Sequence, residues 1–90
     1  MDSEWEFAIK MLELQEELGR GVTTSEIFKT MKEYKGFDLD PMYVERKLMV
    51  LFDLGIVGAD WEKIDGLWYR TYYICDDCIN LVRKARDKHE

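Results

Sequence analysis

A mostly helical α+β fold, with a three-helix body, a β-hairpin and one further helix, is what this sequence predicts. Three observations carry that expectation. Apolar residues recur with a period near 3.6 along three successive segments, each with its own start or stop signal. Past Gly55 the period changes to 2. Asp65-Gly66 then divides the alternating stretch with the strongest two-residue hairpin signal there is.

Ninety residues are expected to form one domain, spanning 1–90, with room for one modest core. At 47% hydrophobic and 36% charged the chain belongs with globular proteins, and three Trp, five Tyr and four Phe supply large burial areas. No apolar run approaches the length that spans a bilayer, and the acidic start M-D-S-E-W-E is unlike a basic secretory signal. The expectation is a cytoplasmic protein with no membrane partner. Two Cys make no disulfide framework, in keeping with a reducing compartment.

Ser3 and Glu6 have capping-box spacing, so the first helix is expected over about 4–18. Phe7, Ala8, Met11, Leu12, Leu14 and Leu18 follow at helical spacing, and Gly19 stops the run. Counting Trp5, the apolar band is wide enough for both a core and a second subunit. Gly21-Val22-Thr23 reads as an extended link with room for one small strand. Thr23 and Glu26 repeat the capping box, and a second helix over about 25–34 buries Ile27, Phe28 and Met31. Its Lys29 and Lys32 point elsewhere.

The third helix is expected over about 41–54. Asp40 can cap its free amides, Pro41 suits a first helical position, and Gly55 offers the left-handed exit. Val44, Leu48 and Leu51 form one buried stripe. The far side carries Met42, Arg46, Met49 and Val50, flanked by Tyr43 and Lys47. Two short helices joined by a turn, the second better marked, have the sequence form of a helix-turn-helix. An outward face of Arg, Tyr and apolar groups can lie in a DNA major groove. There Arg46 suits bidentate pairing with guanine, and Met42, Met49 or Val50 suit thymine methyls. Lys29, Lys32 and Lys47 would meet phosphate, with Lys63 reaching the backbone from the hairpin.

The hairpin is expected over about 56–74. A two-residue turn sets Ile64 opposite Leu67, Lys63 opposite Trp68, Trp61 opposite Arg70, Ala59 opposite Tyr72 and Val57 opposite Ile74. The face holding Val57, Ala59, Trp61, Tyr72 and Ile74 is the expected core side, with Arg70 placed for a cation–π contact with Trp61. Asp60, Glu62, Tyr69 and Thr71 take the other face. A last helix, about 76–88, has a thin stripe of Ile79, Val82 and Ala85, widened by Leu81. Arg83, Lys84, Arg86 and Lys88 fill its final turns, where cations suit the dipole.

The net charge of −6 argues against nucleic acid until its distribution is considered. Residues 1–19 hold six acids against Lys10 alone, whereas residues 20–47 hold six bases against five acids. The acidity gathers in the first helix, away from the third. A locally neutral face can meet phosphate, weakly and with strong salt dependence.

The order helix, short strand, helix, helix, hairpin, helix resembles winged helix-turn-helix transcriptional regulators. Val44, Leu48, Leu51 and Gly55-Ile56-Val57, followed by the hairpin, are similar to the third helix and wing of the MarR-like and PadR-like groups. Trp68-Tyr69-Arg70-Thr71-Tyr72-Tyr73-Ile74 resembles the aromatic strand that enters the PadR-type last helix. The chain is too short for a full PadR C-terminal domain, and its wing tip holds a single base, Lys63; the likeness is to PadR-like and MarR-like regulators of the compact type common in archaea and their viruses. The resemblance implies a homodimer, joined through its N-terminal and C-terminal helices, reading double-stranded DNA. The helix at 41–54 would enter the major groove and the wing at 58–74 would lie beside the backbone. A competing expectation is a winged helix that binds protein and no DNA, suggested by the acidic first helix and the poorly basic wing.

Cys75-Asp76-Asp77-Cys78 is the sharpest chemical feature. One C-x-x-C supplies two thiolates where a structural zinc needs four ligands. Two subunits could complete such a site, the pair could close as a redox disulfide, or both thiols could simply pack at a strand–helix junction. Asp76 and Asp77 oppose an activated thiolate. No Gly-rich phosphate loop and no plausible Ser/His or Cys/His pair supports an enzyme, no cofactor is expected, and His89 has no role assigned.

Overall fold

The computed structural model describes residues 3–88, so His89 lies outside the described residues. Helix α1 (Ser3–Leu18) is the hub. It packs on the second and third helices, the second strand and the last helix. Phe7, Ala8, Met11 and Leu12 on it are essentially solvent-free. The capping box expected at its start is replaced by longer-range pairings. Ser3 is already helical and its hydroxyl accepts from Lys47 Nζ at 2.6 Å, while Glu6 pairs with Lys35 at 2.6 Å.

Helix α2 (Thr24–Lys35) does begin with its capping box. Thr23 Oγ1 accepts the Glu26 N–H at 3.2 Å, and Glu26 Oε1 accepts the Thr23 N–H at 2.9 Å. Arg20 locks the same carboxylate with two guanidinium bonds of 3.0 and 2.7 Å. The Arg20 bonds, aided by Thr23, lower the Glu26 carboxyl from its ordinary 4.5 to about 2.

Helix α3 runs Tyr43–Asp53, starting two residues later than expected. Pro41 and Met42 form a preceding turn instead. Asp40 caps that turn: its Oδ1 accepts the Met42 N–H, and its carbonyl accepts the Tyr43 N–H, both at 2.9 Å. Val44, Leu48 and Leu51 are buried as one stripe, and Gly55 leaves the helix at φ +76°, where a Cβ would be strained.

Strands β1 (Val57–Ile64) and β2 (Leu67–Ile74) pair antiparallel in the predicted register throughout. Asp65 at φ +51° and Gly66 at φ +87° make the primed turn that suits the strand twist. Val22 adds a one-residue bridge on the far edge of β2, exchanging two 2.8 Å hydrogen bonds with Tyr72.

Two burial expectations for the hairpin need correction. Val57 and Ile74 are buried at the base, but Trp61 on the same face is 58% exposed, because the hairpin extends past the body that would cover it. Thr71, assigned to the outer face, is fully buried. The Val22 bridge draws Gly21 against it, so a Cβ at Gly21 would meet Thr71 Oγ1 at 2.9 Å.

The chain then makes one 3-10 turn, Asp76–Cys78, before α4 (Ile79–Lys88), so the last helix starts as a tighter turn than expected. Val82 anchors α4, and Arg83 and Arg86 reach back to Glu16 of α1 at 3.3 and 3.9 Å.

Candidate nucleic-acid interface

Opposite the buried stripe of α3, helical spacing places Met42, Arg46, Met49 and Asp53 on one outward ridge. Met49 is 66% exposed and Met42 51%. Glu45 and Phe52 flank this ridge on the hairpin side. They line a groove of about 360 Å³ with Met49 and Asp53, closed across by Ala59, Arg70 and Tyr72. Ala59, Arg70 and Tyr72 share a hairpin face with Trp61, Lys63 and Trp68 by register. One side of the molecule thus combines the α3 ridge with that hairpin face.

The sequence-selected residues do not all gather there. Arg46 is on the ridge, bonded to Asp40 at 2.7 Å. Val50 is exposed on the opposite flank, where it lines a second groove of about 250 Å³ with Glu4, Trp5, Leu51, Leu54 and Ile56. Tyr43 turns inward, its ring edge-on to Phe7 at 6.0 Å and its charged form disfavoured by burial. Lys47 is only 16% exposed and pairs with Glu4 at 2.9 Å, its Nζ 5.5 Å from the Tyr43 ring centre. Lys29 is exposed on α2, whereas Lys32 lies between the Phe28 and Phe37 rings at 5.8 and 5.7 Å. Lys63 is exposed near the hairpin tip.

Cys75 and Cys78 are free and half-buried. Burial raises both thiols above their ordinary value, and Asp77 raises them further. Cys78 Sγ contacts the Gly55 carbonyl at 3.7 Å, while the Cys75 N–H extends the sheet ladder to the Ile56 carbonyl at 2.9 Å. Among the described residues no cluster of three or more His, Cys, Asp or Glu side chains could hold a metal.

Glu45, Phe52 and Asp53 were missed as site residues. The helical spacing that selected Met42 and Arg46 also brings these three to the outer side, but a search for cations and methyl-seeking groups passes over acids. Strand pairing alone gives Arg70 as a partner of Trp61. Its place in the groove follows from where the hairpin leans, which sequence does not encode locally.

Three packed helices in this order, a hairpin beside the third and a helix after it make a winged helix-turn-helix fold, mostly helical α+β. No known protein family matches the chain, and no curated protein sequence does. Among solved structures it is similar to a candidate transcriptional regulator from Thermoplasma acidophilum, with a TM-score of 0.54 and 23% identity over 88% of this chain and 84% of that one. At that identity the likeness speaks for the fold. No helix among the described residues is long and apolar enough to cross a membrane.

Proposed function

We propose that the protein is a DNA-binding transcriptional regulator that meets double-stranded DNA as a homodimer. One observation carries the reading: the exposed α3 ridge and the cation-bearing hairpin face border the same groove, as a helix and wing addressing one duplex must. Arg46 would pair with a base edge, Met42 and Met49 would pack on thymine methyls, and Val50 would lie at the margin. Lys29, Lys32 and Lys63 would meet phosphate. Tyr43 and Lys47 act one step back, holding α3 on α1 at the angle the ridge requires. The half-exposed Leu81 on α4 and Leu18 at the end of α1 support a dimer seam on those helices, the rest of the α1 apolar band being spent on the core. Titration of labelled genomic duplexes at low and moderate salt, alongside sedimentation, tests both parts. Retention of at least one duplex by a dimer is expected; a monomer that retains none removes the reading.

A protein-binding module is the second reading, favoured by one specific observation. Glu45 and Asp53 bring two carboxylates to the groove against Arg70, and Asp40 already engages Arg46. A basic, partly apolar peptide suits such a surface better than phosphate does. It predicts no retention of duplex even at low salt and loss of partner capture in Glu45→Lys. In either reading Cys75 and Cys78 could add a redox or metal response, which metal analysis and a thiol count in air would test.

A further inference from the structure

Strand alternation sorts the charges of the hairpin onto opposite faces. Trp61 pairs with Arg70 and Lys63 with Trp68, so one face holds two indoles and two cations and no acid. Asp60 and Glu62 stand on the other face, where Glu62 and Asp65 of the turn add a smaller part to the charge stabilisation that Glu26 gives Arg20. The two indoles are 58% and 65% exposed. The Arg70 guanidinium lies 5.5 Å from the centre of the Trp61 ring. Among the described residues neither Lys63 nor Arg70 makes an ion pair, whereas Arg46 and Lys47 on α3 are both held by carboxylates.

We propose that the Trp61–Lys63–Trp68–Arg70 face stacks unpaired nucleobases, with the two cations taking the adjoining phosphates. The inference rests on the reading that this side of the molecule meets nucleic acid, and it extends that reading from closed duplex to single-stranded segments. Intact base pairs hide their flat faces from a side chain, so two exposed indoles beside cations find their match where bases are unstacked. Aromatic platforms alternating with cations tolerate many sequences, since every base has a π-face. They also let an acidic chain bind locally, because Asp60 and Glu62 point away from the strand, and Glu45 and Asp53 border this face only at its Arg70 end, by the α3 groove. A second copy covering the indoles is the competing occupant, but two identical cationic faces would repel each other.

The test uses intrinsic tryptophan fluorescence and anisotropy, titrating an unlabelled and a labelled oligothymidine, and separately the labelled genomic duplexes that test the regulator reading. Oligothymidine should quench the wild-type emission, and Trp68→Ala should weaken its binding about tenfold or more. Trp68→Phe should restore most of that loss, since a flat ring remains. Trp68 is exposed, so these variants are expected to keep the wild-type circular dichroism and melting. Oligothymidine bound equally by wild type and Trp68→Ala, or not bound at all, overturns the proposal. The duplex arm separates the two readings. Duplex without single strand leaves the regulator reading standing and sinks this one, single strand without duplex does the reverse, and neither probe bound removes both.

Discussion

Asp40 and Arg46 face each other at 2.7 Å across the entry of α3, both largely in solvent. The other oxygen of Asp40 accepts the Met42 N–H, so one carboxylate both shapes the turn before the helix and holds the guanidinium of the ridge. The guanidinium, and then the amide, lower the Asp40 carboxyl below its ordinary value. An exposed pair of this kind adds little stability. Its consequence concerns binding, because a guanidinium bonded to Asp40 must be released before it can pair with a base or a phosphate.

The first prediction follows from that competition. Asp40→Asn keeps an acceptor for the Met42 amide while removing the charge that detains Arg46. Duplex affinity should rise, and the dependence of log K on log salt should steepen by about one contact's worth. Arg46→Ala should cost about 1–3 kcal/mol on a preferred sequence. Mobility shifts at several salt concentrations read both effects. Two variants indistinguishable from wild type would mean that the α3 ridge does not touch DNA.

Glu26 gives a pH prediction. Its carboxyl falls to about 2 in the folded chain against an ordinary 4.5, chiefly through Arg20. Between those values the unfolded state binds the extra proton, so the contribution is complete above about pH 4.5 and fades as pH falls toward 2. Glu26→Gln, which can still close the capping box, should lose only the Arg20 part, about 1 kcal/mol at neutral pH because the pair is partly solvated. Glu26→Ala, losing the box as well, should cost about 2 kcal/mol. Urea melts at a series of acidic pH values give the comparison. A slope unchanged in Glu26→Gln would assign the acid sensitivity to other carboxylates.

What could be seen in the sequence was local. The Asp65-Gly66 turn sets the register of eight paired residues on each strand, and the Thr23/Glu26 box sets the start of α2; each depends on neighbours within a few positions. Trp61 shows the limit: alternation gives its face, but whether anything covers that face depends on how far the hairpin outreaches α3. Thr71 shows the converse, since its burial comes from Gly21 and Val22 some fifty residues earlier. The site divides in the same way. Arg46 and Met49 were visible on the ridge from helical spacing, but the loss of Lys47 to Glu4 was not, because that pair spans 43 positions.

The ridge and the stripe beneath it should respond oppositely to truncation. Leu51 is 1% exposed in the core, so Leu51→Ala should cost about 2–5 kcal/mol by lost transfer energy and the cavity left behind. Met49→Ala, on the open side of the same helix, should change stability by no more than about 0.5 kcal/mol. If α3 reads DNA, Met49→Ala should instead weaken binding at measured-equal stability. Chemical denaturation beside the DNA titration makes the separation. A large stability loss from Met49→Ala would place that side chain in a contact, such as a subunit seam, that covers the ridge.

Cys75 and Cys78 respond to charge in a way that tests whether they are poised for chemistry. Burial first, and Asp77 next, raise both thiols, so at neutral pH the thiolate fraction should be below that of an exposed cysteine. Alkylation should be slow at pH 7 and accelerate as pH rises through the alkaline range. Asp77→Asn removes the main opposing charge and should raise the rate at pH 7 several-fold, with the peptide backbone unchanged. A redox-active pair would behave otherwise, with one thiol reacting fast at neutral pH and the count falling from two to none in air. Mass spectrometry after timed alkylation, with and without prior reduction, distinguishes these courses. Fast single-site labelling in the wild type would show that a neighbour absent from the isolated chain, such as a second subunit, supplies positive charge at this junction.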